Sequence, residues 1–253
     1  MKKFLVFTRN TSLLKRSYFN VLKERSLLTK KPLEATDILV VGGDGTMLSA
    51  IRKYWDLQVP FAGLNFGHIG FLMNEPIEQT IAELIDDRTH SVSIKLLQAD
   101  LYDEHGLKMF VKAFNDFYFE RTGTQTANIK VTVDGKTRFN PLVCDGIVVS
   151  SQAGSTAYNA SAGGQIVPIE TEAMILTAVC PAIFHRWRSS ILAGNSQVIL
   201  EPMNIKQRPV RFVRDGEEII EIIKAIISYS ETTIELKFAQ SQQFREKVLQ
   251  LQF

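Results

Sequence analysis

A glycine-rich turn with a carboxylate at its centre is the stretch of this sequence best suited to chemistry. Residues Gly42–Thr46 read Gly-Gly-Asp-Gly-Thr. The apolar run Ile38–Val41 before the turn is typical of a buried parallel strand, and Met47, Leu48 and Ile51 after it have helical spacing. A strand, a turn and a helix in this order direct backbone N–H groups and the positive end of the helix dipole at one point, which is a suitable place for a phosphate group.

Asp44 is the unusual member of this turn, because a carboxylate repels phosphate. Its presence is explained if it accepts the proton of a hydroxyl group beside the phosphate. The turn lacks the Gly-Lys-Ser/Thr of a Walker loop and the Gly-x-Gly-x-x-Gly of a dinucleotide motif. Taken alone, the turn also fits a purely structural loop between a strand and a helix. The choice between a structural and a functional role therefore depends on other segments of the sequence.

The composition is ordinary for a globular protein. The chain has 253 residues, of which 45% are apolar and 22% charged, enough for one large domain or two modest ones. A net charge of +2 gives no indication of nucleic-acid or membrane binding, and no apolar run approaches the roughly 20 residues of a membrane span. The two cysteines, Cys144 and Cys180, predict reduced thiols in a cytoplasmic protein.

Strands and helices alternate up to about residue 90, which predicts an α/β, Rossmann-like N-terminal domain with a parallel sheet. The predicted strands and helices of this part are Lys3–Thr8, Thr11–Lys30 (helix), Ile38–Val41, Val59–Asn65 and Ile77–Asp86 (helix). Ligands of such sheets bind beyond the carboxyl ends of the strands, where the Gly42–Thr46 turn and a second glycine-rich loop, Gly67–Leu72, are both expected.

After about residue 92 the pattern changes to short alternating strands, which predicts a mostly-β C-terminal domain. Asp134-Gly135 between two alternating arms is typical of a hairpin turn. Further strands are expected at Gly146–Ser150, Gln197–Glu201, Pro209–Val213, Glu218–Ile222, Ala225–Ser228 and Thr233–Phe238. We predict a first domain of residues 1–92, completed by a C-terminal helix within 239–253, and a second domain of residues 93–238.

Several segments resemble motifs of the NAD kinase family. The Gly42–Thr46 turn is similar to a signature that NAD kinases share with lipid kinases and 6-phosphofructokinases. The segments Gly67–Phe71, Asn115-Asp116, Asp145-Gly146 and Gly154–Gly164 are similar to further NAD kinase motifs, in the family's order and approximate spacing. The resemblance implies a two-domain enzyme that transfers the terminal phosphoryl group of ATP, or of polyphosphate, to the 2′-hydroxyl of the adenosine ribose of NAD.

The resemblance also implies a role for each matching residue. Asp44 would be the catalytic base, and Gly42, Gly43, Gly45 and Thr46 would form the phosphate-binding loop. The implied substrate-binding residues are Gly45, Phe71, Asn115, Asp116, Asp145, Thr156, Ala157, Tyr158, Asn159, Ala160, Ser161 and Cys180. Among them, Asn115 and Asp116 match the pair that binds adenine and ribose, and Asp145 matches a contact to the nicotinamide carboxamide. Phe71 is suited to stack on adenine.

A divalent cation such as Mg²⁺ is the implied cofactor and ATP the implied phosphoryl donor, and the sequence shows no spacing of protein metal ligands. By the same resemblance we expect a homodimer or homotetramer that binds NAD and ATP or polyphosphate, with neither nucleic acid nor membrane as a partner.

A few positions depart from the family pattern. Gln152 and Ala153 lie in a segment where NAD kinases have Thr-Pro-Thr/Ser, Asp116 stands where Glu is commoner, and Glu217 follows Asp215-Gly216 where Gln is usual. Two alternatives therefore stay open: a lipid kinase of the diacylglycerol type built on the same turn, and a non-catalytic protein that senses NAD or NADP. The sequence leaves open the phosphoryl donor, the preference for NAD or NADH, the oligomer size and any effector.

Overall fold

The structure is a computed structural model that describes residues 2–184 and 186–241. Within these residues the chain divides into two compact units, one made of residues 2–94 and 233–241 and the other of residues 95–232. The chain passes from one unit to the other inside two long strands, Thr89–Asp103 and Lys224–Ala239. The predicted C-terminal helix, Ser241 to Leu251, lies outside the described residues except for Ser241.

The first unit alternates strands and helices, as predicted. Its elements are β1 (Phe4–Thr8), α1 (Asn20–Glu24), β2 (Leu28–Thr29), β3 (Asp37–Gly42), α2 (Asp44–Tyr54), β4 (Phe61–Asn65) and α3 (Glu78–Ile85). The strands are parallel and lie in the order β2-β1-β3-β4, with the end of the long strand Lys224–Ala239 beside β4. Residues Asp37–Val41 of β3 are all buried, because an apolar strand at the centre of a parallel sheet is covered on both faces.

The predicted helix Thr11–Lys30 is wrong in its length. The segment forms two short 3-10 turns, Thr11–Lys15 and Ser17–Phe19, followed by α1. Arg16 between the turns has extended backbone angles (φ −71°, ψ 147°), which interrupt the helical path. The helical spacing reflects the apolar side chains that the segment supplies to the core, Phe19 and Leu22 among them, and short helical pieces supply these equally well.

The second unit is mostly β, as predicted. Its strands, numbered in chain order, are β5 (Thr89–Asp103), β6 (Gly106–Ala113), β7 (Asp116–Arg121), β8 (Ala127–Val133), β9 (Lys136–Cys144), β10 (Gly146–Ser150), β11 (Ala173–Val179), β12 (Ser189–Ala193), β13 (Val198–Met203), β14 (Val210–Arg214), β15 (Glu217–Ile219) and β16 (Lys224–Ala239). A six-stranded antiparallel sheet has the order β12-β11-β10-β7-β14-β15. In the other sheet of this unit β16 is followed by β13, β8 and β9, and β5 pairs with β16 and β6. A short helix, α4 (Tyr158–Ser161), follows β10.

Two details of the β pattern differ from prediction. The strands expected at Ala225–Ser228 and Thr233–Phe238 are one continuous strand, β16, because the polar residues between them continue the ladder. The strands β11 and β12 were not predicted, although β11 is a continuous apolar run. In the described part of the chain, no helix has the length and hydrophobicity needed to cross a membrane.

Candidate active site

The Gly42–Thr46 turn joins β3 to α2 in the predicted order of strand, turn and helix. Gly42 needs to be glycine, since a Cβ atom there would lie 2.4 Å from the Thr46 side-chain oxygen. The carbonyl of Gly43 accepts the N–H groups of Thr46 and Met47 and closes the first turn of α2. The N–H groups of Asp44 and Gly45 belong to the first helical turn, where the helix itself offers no acceptor. The geometry is therefore that of an anion site with Asp44 at its edge.

The carboxylate of Asp44 is held by two backbone amides of the second glycine-rich loop. The N–H of Phe71 donates to Oδ2 at 3.0 Å, and the N–H of Leu72 donates to Oδ1 at 2.9 Å. Each oxygen keeps lone-pair capacity for a further hydrogen bond, and the residue is half-buried. The two amides thus fix the direction of the carboxylate and leave it able to accept another proton donor.

Two asparagines, neither identified in the sequence, shape the loop that holds Asp44. Oδ1 of Asn65 accepts the N–H of Gly67 at 2.9 Å, and its Nδ2 donates to the carbonyl of Ile69 at 3.2 Å. Gly70 has φ +70° and lies so close to Asn65 that a Cβ atom would meet its Cγ at 2.3 Å. Asn74 is fully buried and ties the end of the loop to the sheet, through β4 and β16. An asparagine at the carboxyl end of a parallel strand, such as Asn65, is a signal that could have been used.

The second unit contains the predicted Asn115-Asp116 pair, with Asn115 just before β7 and Asp116 its first residue. Both residues are buried, and Oδ1 of Asn115 has no hydrogen-bond partner within the described residues. Burial, with a smaller contribution from the charge of Asp215, raises the pKa of Asp116 from its ordinary 3.8 to about 7. A buried acceptor without a partner costs free energy, which is recovered when a ligand supplies the missing donor.

The Gly154–Ser161 segment packs directly on this pair. The carbonyl of Asn115 accepts the N–H of Ser151 at 2.8 Å, and a Cβ atom on Gly154 would lie 2.2 Å from the same carbonyl oxygen. The hydroxyl of Ser151 donates to the carbonyl of Phe114 at 2.6 Å. The structure therefore brings together two predicted groups that are about 40 positions apart in the chain.

Asn159, predicted among the binding residues, has a side chain that is fully buried and engaged within the protein. Its Nδ2 donates to the carbonyls of Ser155 and Gln165, both at 3.0 Å, and its Oδ1 accepts the hydroxyl of Thr177 at 2.7 Å. All of these hydrogen bonds lie within the protein, so this side chain stabilises the turn that contains it. The neighbouring predicted residues Thr156, Ala157 and Ala160 are half-buried, and Ser161 is exposed.

Tyr158 forms an aromatic pair with Tyr118, which the sequence did not single out. The ring centroids are 4.8 Å apart and the rings are inclined by 60°. Burial raises the pKa of Tyr118 to about 12, and burial also raises the pKa of Tyr158. Both phenols are therefore uncharged near neutral pH and present an apolar face with a polar tip.

Asp145 and Cys180 lie at the same end of the β10–β11 pair, where Gly146 is opposite Val179. The Asp145 carboxylate pairs with Arg121, whose Nε lies 2.6 Å from Oδ1 and whose Nη2 lies 3.3 Å from Oδ2. This partnership, which raises the pKa of Arg121, was not expected from the sequence. Cys180 is exposed, with φ +45°.

The Gln152 departure from the family pattern has a structural partner. The Gln152 side chain is buried, and its Oε1 lies in hydrogen-bond contact with the hydroxyl of Tyr229. The same hydroxyl lies 2.8 Å from the carbonyl oxygen of Ala173. Glu217, which stands where the family usually has Gln, forms an ion pair with Arg214, with 2.7 Å between Oε2 and Nη2. Among the described residues, three or more histidine, cysteine or acidic side chains nowhere gather in a metal-binding cluster.

Comparisons with known protein families cover most of the chain. Residues 9–90 match the family model of the ATP-NAD kinase N-terminal domain, and residues 115–240 match that of the ATP-NAD kinase C-terminal domain. The NAD kinase of Rickettsia akari (strain Hartford) is 34% identical over 222 residues, which are 87% of this chain and 86% of the relative. The NAD kinase of Rickettsia bellii (strain OSU 85-389) is 33% identical over 252 residues, 98% of this chain and 96% of the relative.

Solved structures agree on the fold. Yeast NADH kinase complexed with NADH superposes with a TM-score of 0.81 at 19% identity, covering 100% of this chain and 88% of that one. An NAD kinase from Archaeoglobus fulgidus in complex with ATP gives a TM-score of 0.73 at 22% identity, covering 98% and 99%. With both family models in their expected order and relatives above 30% identity over nearly the whole length, the chain belongs to the NAD kinase family.

Proposed function

We propose that this protein transfers the terminal phosphoryl group of ATP to the 2′-hydroxyl of the adenosine ribose of NAD, giving NADP and ADP. The main observation behind this proposal is the position of Asp44 at the N-terminus of α2, where the amides of Phe71 and Leu72 fix the direction of its carboxylate. Family membership and the complexes of relatives with NADH and with ATP support the choice of substrates.

In the proposed step, Asp44 accepts the proton of the 2′-hydroxyl as the oxygen attacks the terminal phosphorus. A bond forms between O2′ and phosphorus, the bond to the bridging oxygen of ATP breaks, and ADP leaves with the electron pair. The Phe71 and Leu72 amides keep the carboxylate oriented, so no reorganisation is needed when the hydroxyl arrives. The amides of the Gly42–Thr46 turn and the dipole of α2 would hold phosphate oxygens.

The predicted residues of the second unit would hold the dinucleotide. The unpaired Oδ1 of Asn115 is suited to accept an N–H of adenine, and the Asp116 carboxylate to accept a ribose hydroxyl. Tyr158 offers an apolar ring, with Thr156 and Ser161 close to it in the chain. The carboxylate of Asp145 would accept an N–H group of the nicotinamide carboxamide, while Arg121 fixes the direction of that carboxylate. Cys180 and Phe71 stay proposed neighbours of the ligand.

A magnesium ion would arrive at the phosphate turn together with ATP. Mg²⁺ commonly keeps several waters, so it would be held mainly by phosphate oxygens and water, with the Asp44 carboxylate kept for the 2′-hydroxyl. When bound, the ion would neutralise charge on the transferred phosphoryl group.

The direct experiment is to incubate the purified chain with NAD, ATP and MgCl₂ and to measure NADP with an NADP-specific dehydrogenase. We expect NADP to form and Asp44→Asn to lose at least about a hundredfold in kcat, as removal of a general base commonly does. Asp56→Asn, an exposed acid just beyond the other end of α2, is the matched control and should keep the wild-type rate. Polyphosphate in place of ATP, and NADH in place of NAD, define the donor and acceptor preferences.

Tight NAD binding without turnover under every donor would favour the non-catalytic sensor. The comparisons favour an NAD kinase over the lipid-kinase alternative, since both matched family models are those of NAD kinase domains.

We also propose that the protein is a homo-oligomer. Ile183, Phe184 and Ile191 are large apolar side chains that are more than half exposed, and Ile191 belongs to the edge strand β12. Exposed apolar groups at a sheet edge favour association with a second surface. Light scattering after size-exclusion chromatography tests this, and a monomer at micromolar concentration would contradict it.

A further inference from the structure

The hairpin turn Asp215-Gly216 in the second unit has no role in the steps proposed above. It joins β14, which ends at Arg214, to β15, which begins at Glu217. Both turn residues have positive φ, +46° and +79°, which is the backbone of a tight two-residue hairpin. A hairpin turn of this kind needs no buried carboxylate, yet Asp215 is only 8% exposed.

The carboxylate of Asp215 accepts three successive backbone amides. Oδ2 accepts the N–H of Phe114 at 2.8 Å, and Oδ1 accepts those of Asn115 and Asp116 at 2.7 and 3.2 Å. The N–H of Asp215 donates in return to the carbonyl of Asp116 at 3.1 Å. Three amides can reach one carboxylate only if the backbone curves around it, so these bonds determine the local path of residues 114–116.

We propose that Asp215 is the positioning residue of the Asn115-Asp116 pair and sets the direction in which both side chains meet the dinucleotide. The inference rests on the proposed function, since it deepens the role given there to that pair. Asn115 is bound to the protein through its backbone, while its side-chain Oδ1 has no partner within the described residues. The direction of this acceptor therefore follows the backbone that Asp215 holds.

Asp215 also acts on Asp116 through its charge. Burial is the larger cause of the raised pKa of Asp116, about 7, and the negative charge of Asp215 is the second. Among the described residues, Tyr118 and Tyr158 also interact with Asp116, and both phenols are uncharged near pH 7, since burial raises their pKa values further above the ordinary 10. Removal of the charge at position 215 should therefore let Asp116 ionise at lower pH.

The test is Asp215→Asn, which keeps the shape of the side chain. An amide group has one acceptor oxygen, so it cannot accept N–H groups on both sides, and it carries no charge. We expect KM for NAD at pH 8 to rise roughly tenfold or more, the size of a lost hydrogen bond to a charged group, with kcat changed less than about threefold. The midpoint of the pH dependence of KM should fall by roughly one pH unit.

Asp134→Asn is the matched control. Asp134-Gly135 is a second two-residue hairpin turn in the same unit, with φ +50° and +73°, and its carboxylate accepts the N–H of Gln197 at 2.8 Å. This variant loses a turn carboxylate of the same kind away from the Asn115-Asp116 pair. Its KM for NAD and the midpoint of the pH dependence of KM should both equal those of the wild type, even if the variant is less stable.

The outcomes separate the two proposals. A wild-type protein that forms no NADP overturns the proposed function before any variant is compared. With an active wild type, an Asp215→Asn enzyme whose KM and midpoint match those of Asp134→Asn overturns the positioning role, as does a loss confined to kcat. If Asp215→Asn does not fold, Asp215→Glu retains the charge with a changed reach; it should raise KM with the midpoint unchanged, and a wild-type KM would overturn the inference.

Discussion

Asp116 gives a quantitative prediction about stability. Replacement by Asn removes the titrating group and leaves a side chain of nearly the same shape. In the folded protein the pKa of Asp116 is about 7, against an ordinary value of 3.8. At 1.36 kcal/mol per pKa unit, the charged form costs the folded state up to about 4 kcal/mol relative to the unfolded chain.

The sign follows from proton binding. Because the folded-state pKa lies above the unfolded value, the folded protein retains a proton between about pH 4 and 7 that the unfolded chain has already released. The contribution of Asp116 to stability is therefore fully present below pH 4 and declines as the pH rises to 7. The Asn variant lacks this decline, so its stability relative to wild type should increase by up to about 4 kcal/mol across this window.

Urea unfolding at half-unit intervals from pH 4 to 8 measures the effect. The fluorescence of Trp187 reports on the unit that contains Asp116, and a Trp55→Phe background removes the signal of the other unit. A partnerless amide in the variant would displace its whole curve by about 1–3 kcal/mol without altering the slope. Wild-type and variant curves that run parallel from pH 4 to 7 would refute the reasoning.

Three further predictions concern other contacts described above. Asn65→Ala should lower kcat about tenfold or more with little change in KM, because the loop amides that orient the catalytic carboxylate lose their support; equal loss in kcat and in substrate affinity would point to general unfolding of the loop. Arg121→Gln should weaken NAD binding measured by calorimetry about tenfold, since Asp145 loses its bidentate partner, and unchanged affinity would contradict the orienting role. Asp87→Asn should destabilise the fold by less than about 1 kcal/mol at pH 7 in thermal unfolding, although ion pairs with Lys2 and Lys237 lower the pKa of this carboxylate to about 2, because it is largely exposed. That small contribution should vanish as the pH falls from about 4 to 2.

The sequence predicted those parts of the fold that local patterns encode. β3, β4 and the Asp134-Gly135 hairpin follow from apolar runs and turn residues, and the structure contains each of them. The helix Thr11–Lys30 failed because apolar spacing reports which side chains reach the core and does not report whether the backbone stays helical between them. The stretch 229–232 interrupts the apolar pattern, so two strands were expected there instead of one; β16 runs through it with Ser230 buried and hydrogen-bonded to Thr232.

The site shows a similar division between what is local and what is not. Asp44 was identifiable because its glycine neighbours are adjacent in the chain. The amides that hold it lie 27 and 28 positions away, and backbone N–H groups have no residue-type signature. Arg121 and Asp145 are 24 positions apart, and Asp215 is about 100 positions from the amides it accepts. These partners are set by strand pairing, which a single sequence does not display.

The close approach of the two glycine-rich loops has a consequence for how this protein tolerates change. A Cβ atom at Gly43 would lie 3.4 Å from the Cα of Gly67, and a Cβ at Gly67 would lie 3.2 Å from the Cα of Gly43. A methyl group at Gly67 requires the facing loop to shift by a few tenths of an ångström, and one at Gly43 makes an ordinary van der Waals contact, whereas two methyl groups would compete for the same gap. The double alanine variant should therefore lose more stability than the sum of the two single variants. A substitution at one glycine would then make a later substitution at the other less tolerable.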